Sequence, residues 1–246
     1  MTVMRVLRDK RQDRSSVGAI PATRYARIAG ALYLVIIVAG IVGPLVTRDL
    51  VVVPGDPTAT AQNVAASPVL WGLGIAVNIV MQLCDVPVML ILYLLLSPIN
   101  KPVALLALLF NIVQTATLVA NQLTLVSAQL LSPDQPALTD VAIRAYSYGE
   151  GLGLVFFGFT LLGVGYLIRH AGYLPWMIGL LVQVAGISYV VNSFLLLVVP
   201  DLANIVILIP AFIAELSLAL WLLIKGVDES QWERRVHSTE LARVGP

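Results

Sequence analysis

Six long apolar stretches follow one another along this chain of 246 residues. Of these residues, 59% are hydrophobic and only 12% carry a charge, whereas a soluble domain is about half apolar and a quarter charged. A water-soluble core of this size could not bury so much apolar side chain, so lipid must cover the remainder. Inside a bilayer every backbone N–H and C=O needs a partner within the protein, which leaves only helices or a closed barrel.

The stretches lack the alternation of a strand, and most reach the roughly 20 residues that a helix needs to cross a bilayer. The sequence therefore predicts an all-α integral membrane bundle of six transmembrane helices within one domain over residues 24–226. The predicted spans are Ile28–Val46, Leu70–Leu96, Pro102–Leu130, Gly151–Ile168, Tyr173–Val198 and Leu202–Ile224.

The positive charges divide unequally between the two sides that six alternating spans define. Thirteen of the fifteen Lys and Arg residues fall on the side of the termini, and only Arg48 and Arg144 fall on the other. Because Lys and Arg accumulate on the cytoplasmic side, this predicts a cell-membrane protein with both termini in the cytoplasm. A cleaved signal peptide is the alternative, but the first apolar run is a full span and no small-x-small cleavage site follows Val46.

The terminal segments are polar. Residues 1–23 are basic and lack apolar periodicity, so they are predicted to be a disordered tail that meets anionic lipid head groups. Residues 227–246 are predicted to be a cytoplasmic tail of similar character, with Trp232 at the membrane interface. The net charge of +1 averages two opposite faces and gives no reason to expect nucleic acid. A homo-oligomer or a membrane-protein partner stays open.

Two outer loops carry local helix signals. Asp56 is a good N-cap and Pro57 suits a first helical position, which predicts a short helix over about residues 57–66. Beyond the turn at residues 132–134, Leu138, Val141 and Ala145 share one face at helical spacing. That segment is predicted to lie on the membrane surface or to cap the bundle.

Two acidic residues fall deep within the predicted spans. Asp85 lies about 18 Å from one membrane surface and Glu215 about 15 Å, at about 1.5 Å per helical residue. No Lys, Arg or His lies at that depth in the predicted spans. A charged carboxylate at the bilayer centre costs at least about 2.5–3.5 kcal/mol, so each acid should face the bundle interior and be protonated, hydrogen-bonded or paired with a cation.

Polar residues next to Asp85 follow helical spacing. Asn78, Gln82 and Asp85 are spaced i, i+4, i+7 and so share one helix face. The next predicted helix has a comparable polar face, formed by Asn111, Gln114, Thr115, Leu118 and Gln122, with Asn121 beside it. A candidate ligand or proton site is therefore predicted from Asp85, Glu215, Gln82, Asn78, Asn111 and Gln114. The alternative is that the amides only join membrane helices, at about 0.6–2 kcal/mol per contact.

Glu150 is a further candidate, between Gly149 and Gly151 near the start of the fourth predicted span. A structural explanation is as good, because an acid near a helix N-terminus is favoured by the helix dipole. Gly149 and Gly153 also have the spacing that lets two membrane helices approach closely.

Signatures of enzymes are missing from the sequence. There is no Gly-x-Ser-x-Gly and no His-Glu-x-x-His, and both histidines, His170 and His237, lie outside the predicted spans. No catalytic residue, cofactor or metal site is predicted. The interpretation is a small transporter or channel-like unit that uses midplane carboxylates, and the alternative is a non-transporting structural, sensor or assembly protein.

Several short motifs resemble a known family. They are residues 27–34 (RIAGALYL), residues 172–175 (GYLP), residues 220–222 (LWL) and the single positions Asp56, Ala61, Asn63, Gln82, Asp85, Tyr93, Pro98, Lys101 and Glu215. The chain thereby resembles, over most of residues 24–226, the bacterial membrane proteins grouped as domain of unknown function 4386. The resemblance implies a multi-pass membrane protein and no particular activity. The family pattern places an arginine after Phe110, but this chain has Asn111, which leaves Asp85 without an expected arginine partner.

Overall fold

The computed structural model describes residues 21–244, apart from the side chains of residues 47, 240 and 242–244. The predicted disordered tail, residues 1–23, lies almost wholly outside the described residues. Within them the fold is all-α, and six helices are long and apolar enough to cross a membrane. The helices are α1 (Ala22–Pro44), α2 (Pro57–Ala66), α3 (Pro68–Leu96), α4 (Lys101–Leu131), α5 (Pro136–Ala171), α6 (Trp176–Val198), α7 (Ile209–Ile224) and α8 (Glu229–Val244). The chain is thus a multi-pass membrane protein, as predicted.

Proline and capping residues set where the helices begin and end. Pro57, Pro68 and Pro136 stand at the first position of their helices, where a missing N–H costs nothing. The side chain of Asn100 accepts a hydrogen bond from the Val103 N–H at 3.2 Å at the start of α4. Gly172, with φ of +81°, ends α5 in the left-handed conformation that glycine adopts without strain. A 3₁₀ turn over Ile205–Leu208 leads into α7, and the two together form the sixth span.

The six spans form a closed ring. Each packs on the next along the chain, and α7 packs back on α1. The α5–α6 contact is the most extensive, because Gly158 faces Gly186 and Gly165 faces Gly179. A Cβ atom on Gly165 would lie 2.6 Å from the carbonyl oxygen of Gly179, so the two backbones touch. Small residues at such seams are the usual means of close packing between membrane helices.

One end of the ring carries the short helix α2, and we call it the α2 face. The prediction of this helix and its cap is confirmed: Asp56 accepts a hydrogen bond from the Ala59 N–H at 2.9 Å. A small apolar cluster lies beneath it and contains the fully buried Trp71, whose Nε1 donates to the Leu125 carbonyl at 2.9 Å. The α2 helix therefore covers one end of the bundle.

For the segment that follows the second outer loop, the predicted position on the membrane surface is wrong. The segment is not a separate surface helix, because α5 runs without a break for 36 residues from Pro136. At about 1.5 Å per residue such a helix is about 54 Å long, well above the roughly 30 Å of a hydrocarbon core. Leu138 and Val141 are exposed, whereas Thr139 and Tyr146 on the other side are buried. The α5 helix is thus longer than a crossing of the hydrocarbon core requires, and it packs against α2.

The opposite end of the ring carries α8, and we call it the α8 face. The expectation that residues 227–246 lack regular structure is wrong for Glu229–Val244, which form a helix. Trp232 donates from Nε1 to the Leu95 carbonyl at 3.1 Å, and Thr239 donates to the Pro98 carbonyl at 3.1 Å. These tertiary contacts hold a polar segment that its composition alone would leave disordered.

Asp228 caps this C-terminal helix. Ser230 donates to the carboxylate at 2.8 Å and the Gln231 N–H donates at 3.1 Å. These bonds hold the pKa of Asp228 below its usual range. Nearby, the burial of Tyr173 raises the pKa of its hydroxyl, and that hydroxyl donates to the Leu95 carbonyl that Trp232 also contacts. The α8 face is therefore closed by several hydrogen bonds at one place.

Candidate functional site

Asp85 lies on α3 and turns into the ring, as its cost in lipid predicted. The residue is only 8% exposed. Two side chains of α4 donate to its Oδ2 atom: Asn111 from Nδ2 at 2.8 Å and Thr115 from Oγ1 at 2.9 Å. Asn111 also donates to Gln114 Oε1 at 3.1 Å. The predicted polar faces of the two helices therefore meet, and an amide and a hydroxyl are the donors to Asp85.

Glu215 lies on α7 and is 7% exposed. Tyr33 of α1 donates to its Oε2 at 3.1 Å, and Tyr189 of α6 donates to its Oε1 at 2.7 Å. Sequence reasoning missed both tyrosines. Tyrosines in membrane proteins usually lie at the lipid interface. Tyr189 lies well inside the predicted span Tyr173–Val198, and this position was a signal that could have revealed it. Tyr33 lies near the start of the predicted span Ile28–Val46, so its position gave no such signal.

Both acids open onto one cavity inside the ring, of about 440 Å³. This volume lies within the range of small-molecule pockets, about 300–1,000 Å³. All six spans contribute to its wall. The polar wall residues are Gln82, Asp85, Gln114, Tyr189 and Glu215, and the rest are apolar or glycine: Ile36, Ile37, Gly40, Ile41, Met81, Leu118, Leu154, Phe157, Ile205, Leu208, Ile209 and Phe212.

The cavity reaches the exterior between α1 and the sixth span. Nearer the α8 face these helices touch, since a Cβ on Gly30 would overlap the backbone of Leu223. Toward the α2 face, Gly40 of α1 lines the cavity, and a Cβ there would meet only the sulfur of Met81 on α3, at 3.5 Å. Ile41, Ile209 and Phe212 line the cavity and are also exposed. They belong to candidate spans, so the mouth of the cavity is apolar and faces lipid.

Gln82 carries an unsatisfied polar atom at this cavity. The residue is only 2% exposed, yet its Oε1 has no hydrogen-bond partner within the described residues. Asn111 Oδ1 is in the same state. Buried polar atoms nearly always have a partner. At Asp85, both protein donors reach Oδ2 and, among the described residues, none reaches Oδ1. Gln82 and Asp85, which line the cavity, thus each have a side-chain oxygen without a donor among the described residues, and that of Gln82 is itself buried.

The structure separates Asn78 and Glu150 from the cavity. Asn78 donates to Gln122 Oε1 and to the Tyr146 hydroxyl, both at 3.3 Å. That hydroxyl donates to Glu150 Oε1 at 3.1 Å. Asn78 is on the predicted buried face of α3 but about two turns from Asp85. These residues form a second network, nearer the α2 face, which joins α3, α4 and α5.

Glu150 has a partner that sequence reasoning missed. Arg48, in the short π-helical segment Leu45–Asp49 that follows α1, approaches it with Nη2 at 3.0 Å from Oε2. The two side chains are partly exposed, and such ion pairs contribute about 0–1 kcal/mol. The pair connects the end of α1 to α5. The dipole explanation for Glu150 does not apply, because α5 begins at Pro136, well before it.

No group of three or more His, Cys, Asp or Glu side chains that could hold a metal ion occurs in the part of the chain that the structure describes. Asp85 and Glu215 are therefore a pair of carboxyl groups among amides and tyrosines. Such a site can bind a donor or a cation and can hold protons.

Comparisons with known proteins identify relatives without assigning an activity. A family model described as Domain of unknown function (DUF4386) matches residues 28–226. An uncharacterized protein of the archaeon Archaeoglobus fulgidus is 31% identical over 142 residues, which make up 58% of this chain and 76% of that protein. No solved structure matches the chain.

Proposed function

The chain belongs to the DUF4386 family of membrane proteins, and from its central cavity we propose that it is a small transporter, not an enzyme, which binds a ligand at Asp85 and Glu215. The observation that carries the proposal is that both acids, from helices at different places in the ring, line one cavity of about 440 Å³. A purely structural pair of acids would need no space beside it. The unpartnered amide of Gln82 at the same wall adds to this argument.

A transport cycle needs a part that moves and a part that stays. Glycine contacts between backbones join α5 to α6, which favours these helices as the fixed part. The α1 helix and the sixth span touch near Gly30, and nearer the α2 face both line the cavity, through Gly40, Ile41 and Ile209. Closure of α1 on the sixth span would cover the ligand, and the hydrogen bonds at Leu95 would have to break to open the α8 face.

The membrane and the orientation are part of the proposal. We place the protein in the cell membrane with both termini in the cytoplasm, because thirteen of its fifteen Lys and Arg residues fall on the side of the termini. The α8 face is then cytoplasmic and the α2 face is outside. The basic tail before α1 would lie against anionic lipid head groups.

The test is a comparison of small-molecule distribution between cells and medium. Cells express the wild-type protein, Asp85→Asn, Gly40→Leu or Gly72→Leu at equal membrane levels, and mass spectrometry follows all detectable compounds. Leucine at position 40 narrows the mouth, whereas position 72 has open space around it and lies away from the cavity. We expect at least one compound to be redistributed by the wild type and by Gly72→Leu, and not by the other two variants.

The same experiment can reject transport. If no compound depends on expression, or if Asp85→Asn and Gly40→Leu redistribute the same compounds as the wild type, the cavity does not serve transport. A structural, sensor or assembly role would then explain the protein better.

A further inference from the structure

The ligand class follows from the charge, the shape and the mouth of the cavity, and this step rests on the proposed function. Two carboxyl groups line the wall, and no Lys, Arg or His of the described residues does. An anion placed there would meet acidic groups without a compensating cation. In an apolar site an unpaired charge is costly, so a cation beside the acids is favoured over an anion.

The free acceptors indicate that the ligand donates hydrogen bonds. Gln82 Oε1 is buried without a partner, and Asp85 Oδ1 receives no donor from the described residues. A protonated amine supplies both the missing charge and the missing donors. A quaternary ammonium would supply only the charge.

The remaining wall suits an apolar body that carries this head group. Phe157 and Tyr189, whose ring centroids are 5.2 Å apart, form an aromatic wall beside the acids, together with Phe212. Aromatic faces attract cations that lie over them. The mouth near Gly40 and Ile41 opens toward lipid, so a ligand that dissolves in the bilayer can enter from the side.

We infer that the cavity binds a lipophilic amine, a molecule with a compact apolar body and one protonated primary or secondary amine placed between Asp85 and Glu215. Its body packs against Ile37, Leu118 and Phe212, and an N–H group donates to Asp85 Oδ1. The Gln82 amide turns toward the amine, which gives its buried Oε1 the donor that it lacks. The inference names a chemical class and not a particular metabolite.

Three probes with one apolar body test the class: 1-adamantanamine, 1-adamantanol and 1-adamantanecarboxylate. The full chain is placed in lipid nanodiscs, and binding is measured by calorimetry at pH 7. We expect the amine to bind at least tenfold more tightly than the alcohol, and the carboxylate to show no binding. Asp85→Asn and Glu215→Gln should each weaken amine binding at least tenfold. Asp140→Asn, the same change at an acid outside the cavity that pairs with Arg144 at 2.8 Å, should not.

Several results would overturn the amine class. They are equal binding of alcohol and amine, preference for the carboxylate, no binding of any probe, or unchanged amine binding in both cavity variants. The transport comparison separates the two proposals. If a compound still depends on Asp85 there while the amine fails to bind, transport stands and the amine class is wrong. If the amine binds as expected while no compound is redistributed, the ligand class stands and transport is wrong.

Discussion

At the scale of single residues, the two buried acids are held by different kinds of donor. Asp85 depends on an amide and a hydroxyl of the neighbouring helix, whereas Glu215 depends on two phenol groups from helices on either side of it. A buried carboxyl oxygen without a hydrogen-bond donor lowers the stability of a protein with an apolar interior. The tyrosines therefore contribute to the stability of the ring as well as to the shape of the site.

Removal of either hydroxyl should destabilise the protein. Tyr189→Phe and Tyr33→Phe each leave one oxygen of Glu215 without its donor, which should lower the free energy of unfolding by roughly 1 kcal/mol. The effect should be larger for Tyr189, whose hydrogen bond is 2.7 Å long against 3.1 Å for Tyr33. Denaturant titration of the detergent-solubilised protein measures it. Tyr166→Phe, at an exposed tyrosine, is the control, and equal stability of all three variants and the wild type would contradict the account.

The sequence was informative about some residues of the site and silent about others. Gln82, Asp85, Asn111 and Gln114 could be grouped because helical spacing and the cost of a polar group in lipid both apply to neighbours along the chain. Tyr33 and Glu215 are separated by 182 positions, and Arg48 and Glu150 by 102. Pairs so distant depend on which helices become neighbours in the ring, and periodicity within one helix does not contain that information.

At the scale of elements, the α5–α6 seam depends on glycine. Gly165→Leu would place a Cβ 2.6 Å from the Gly179 carbonyl oxygen, and a backbone atom cannot rotate away. We expect a loss of at least about 1–3 kcal/mol of stability or failure to accumulate in the membrane. Gly72→Leu, where a Cβ meets nothing within 4 Å, is the matched control. Thermal unfolding in detergent distinguishes them, and equal midpoints would show that the seam is not close-packed.

The contact of α8 with the bundle should weaken in acid. The pKa of Asp228 is lowered in the folded protein, so the stability contributed by its cap is present above the unfolded value of about 3.9 and is lost as pH falls through the folded value. A spin label on Glu233→Cys, in a Cys84→Ser background, should become more mobile below about pH 4. In Asp228→Asn, which cannot titrate at this position, that change should be absent. A label whose mobility changes equally in both proteins would point to other groups.

Two elements show the limits of composition as evidence. The first part of α5 is too polar to count as a span, yet it packs against α2, buries Thr139 and Tyr146, and continues without a break into the span. Residues 229–244 are polar and charged, yet Trp232 and Thr239 anchor them. In both segments the helical conformation depends on tertiary contacts. The short α2 helix was predictable because its capping residues are neighbours in the sequence.

At the scale of the whole molecule, the number of spans could be predicted from hydropathy, but the order in which they pack around the ring could not. The cost of an unpaired backbone in lipid permits little besides helices, so the six spans were predictable. The closed ring, with α7 beside α1, results from small residues such as Gly30 that allow those two helices to touch. The cavity is a consequence of that closure.

The orientation can be tested by labelling single cysteines in intact cells, in a Cys84→Ser background. Thr58→Cys and Gln135→Cys, both exposed on the α2 face, should react with a membrane-impermeant maleimide. Glu233→Cys, exposed on the α8 face, should react only after the cells are opened. The reverse pattern would place the termini outside.

Our proposals depend on the position of Asp85 and Glu215 in a cavity that opens to the lipid between α1 and the sixth span. This position is tested most directly by treating membranes with the apolar reagent dicyclohexylcarbodiimide and mapping modified carboxyl groups by mass spectrometry. We expect modification of both acids in the wild type and in Gly72→Leu, at least several-fold less in Gly40→Leu, and little reaction with a water-soluble carbodiimide. If neither acid reacts, or if Gly40→Leu reacts as fast as the wild type, the acids are not reached through this mouth and the account is contradicted.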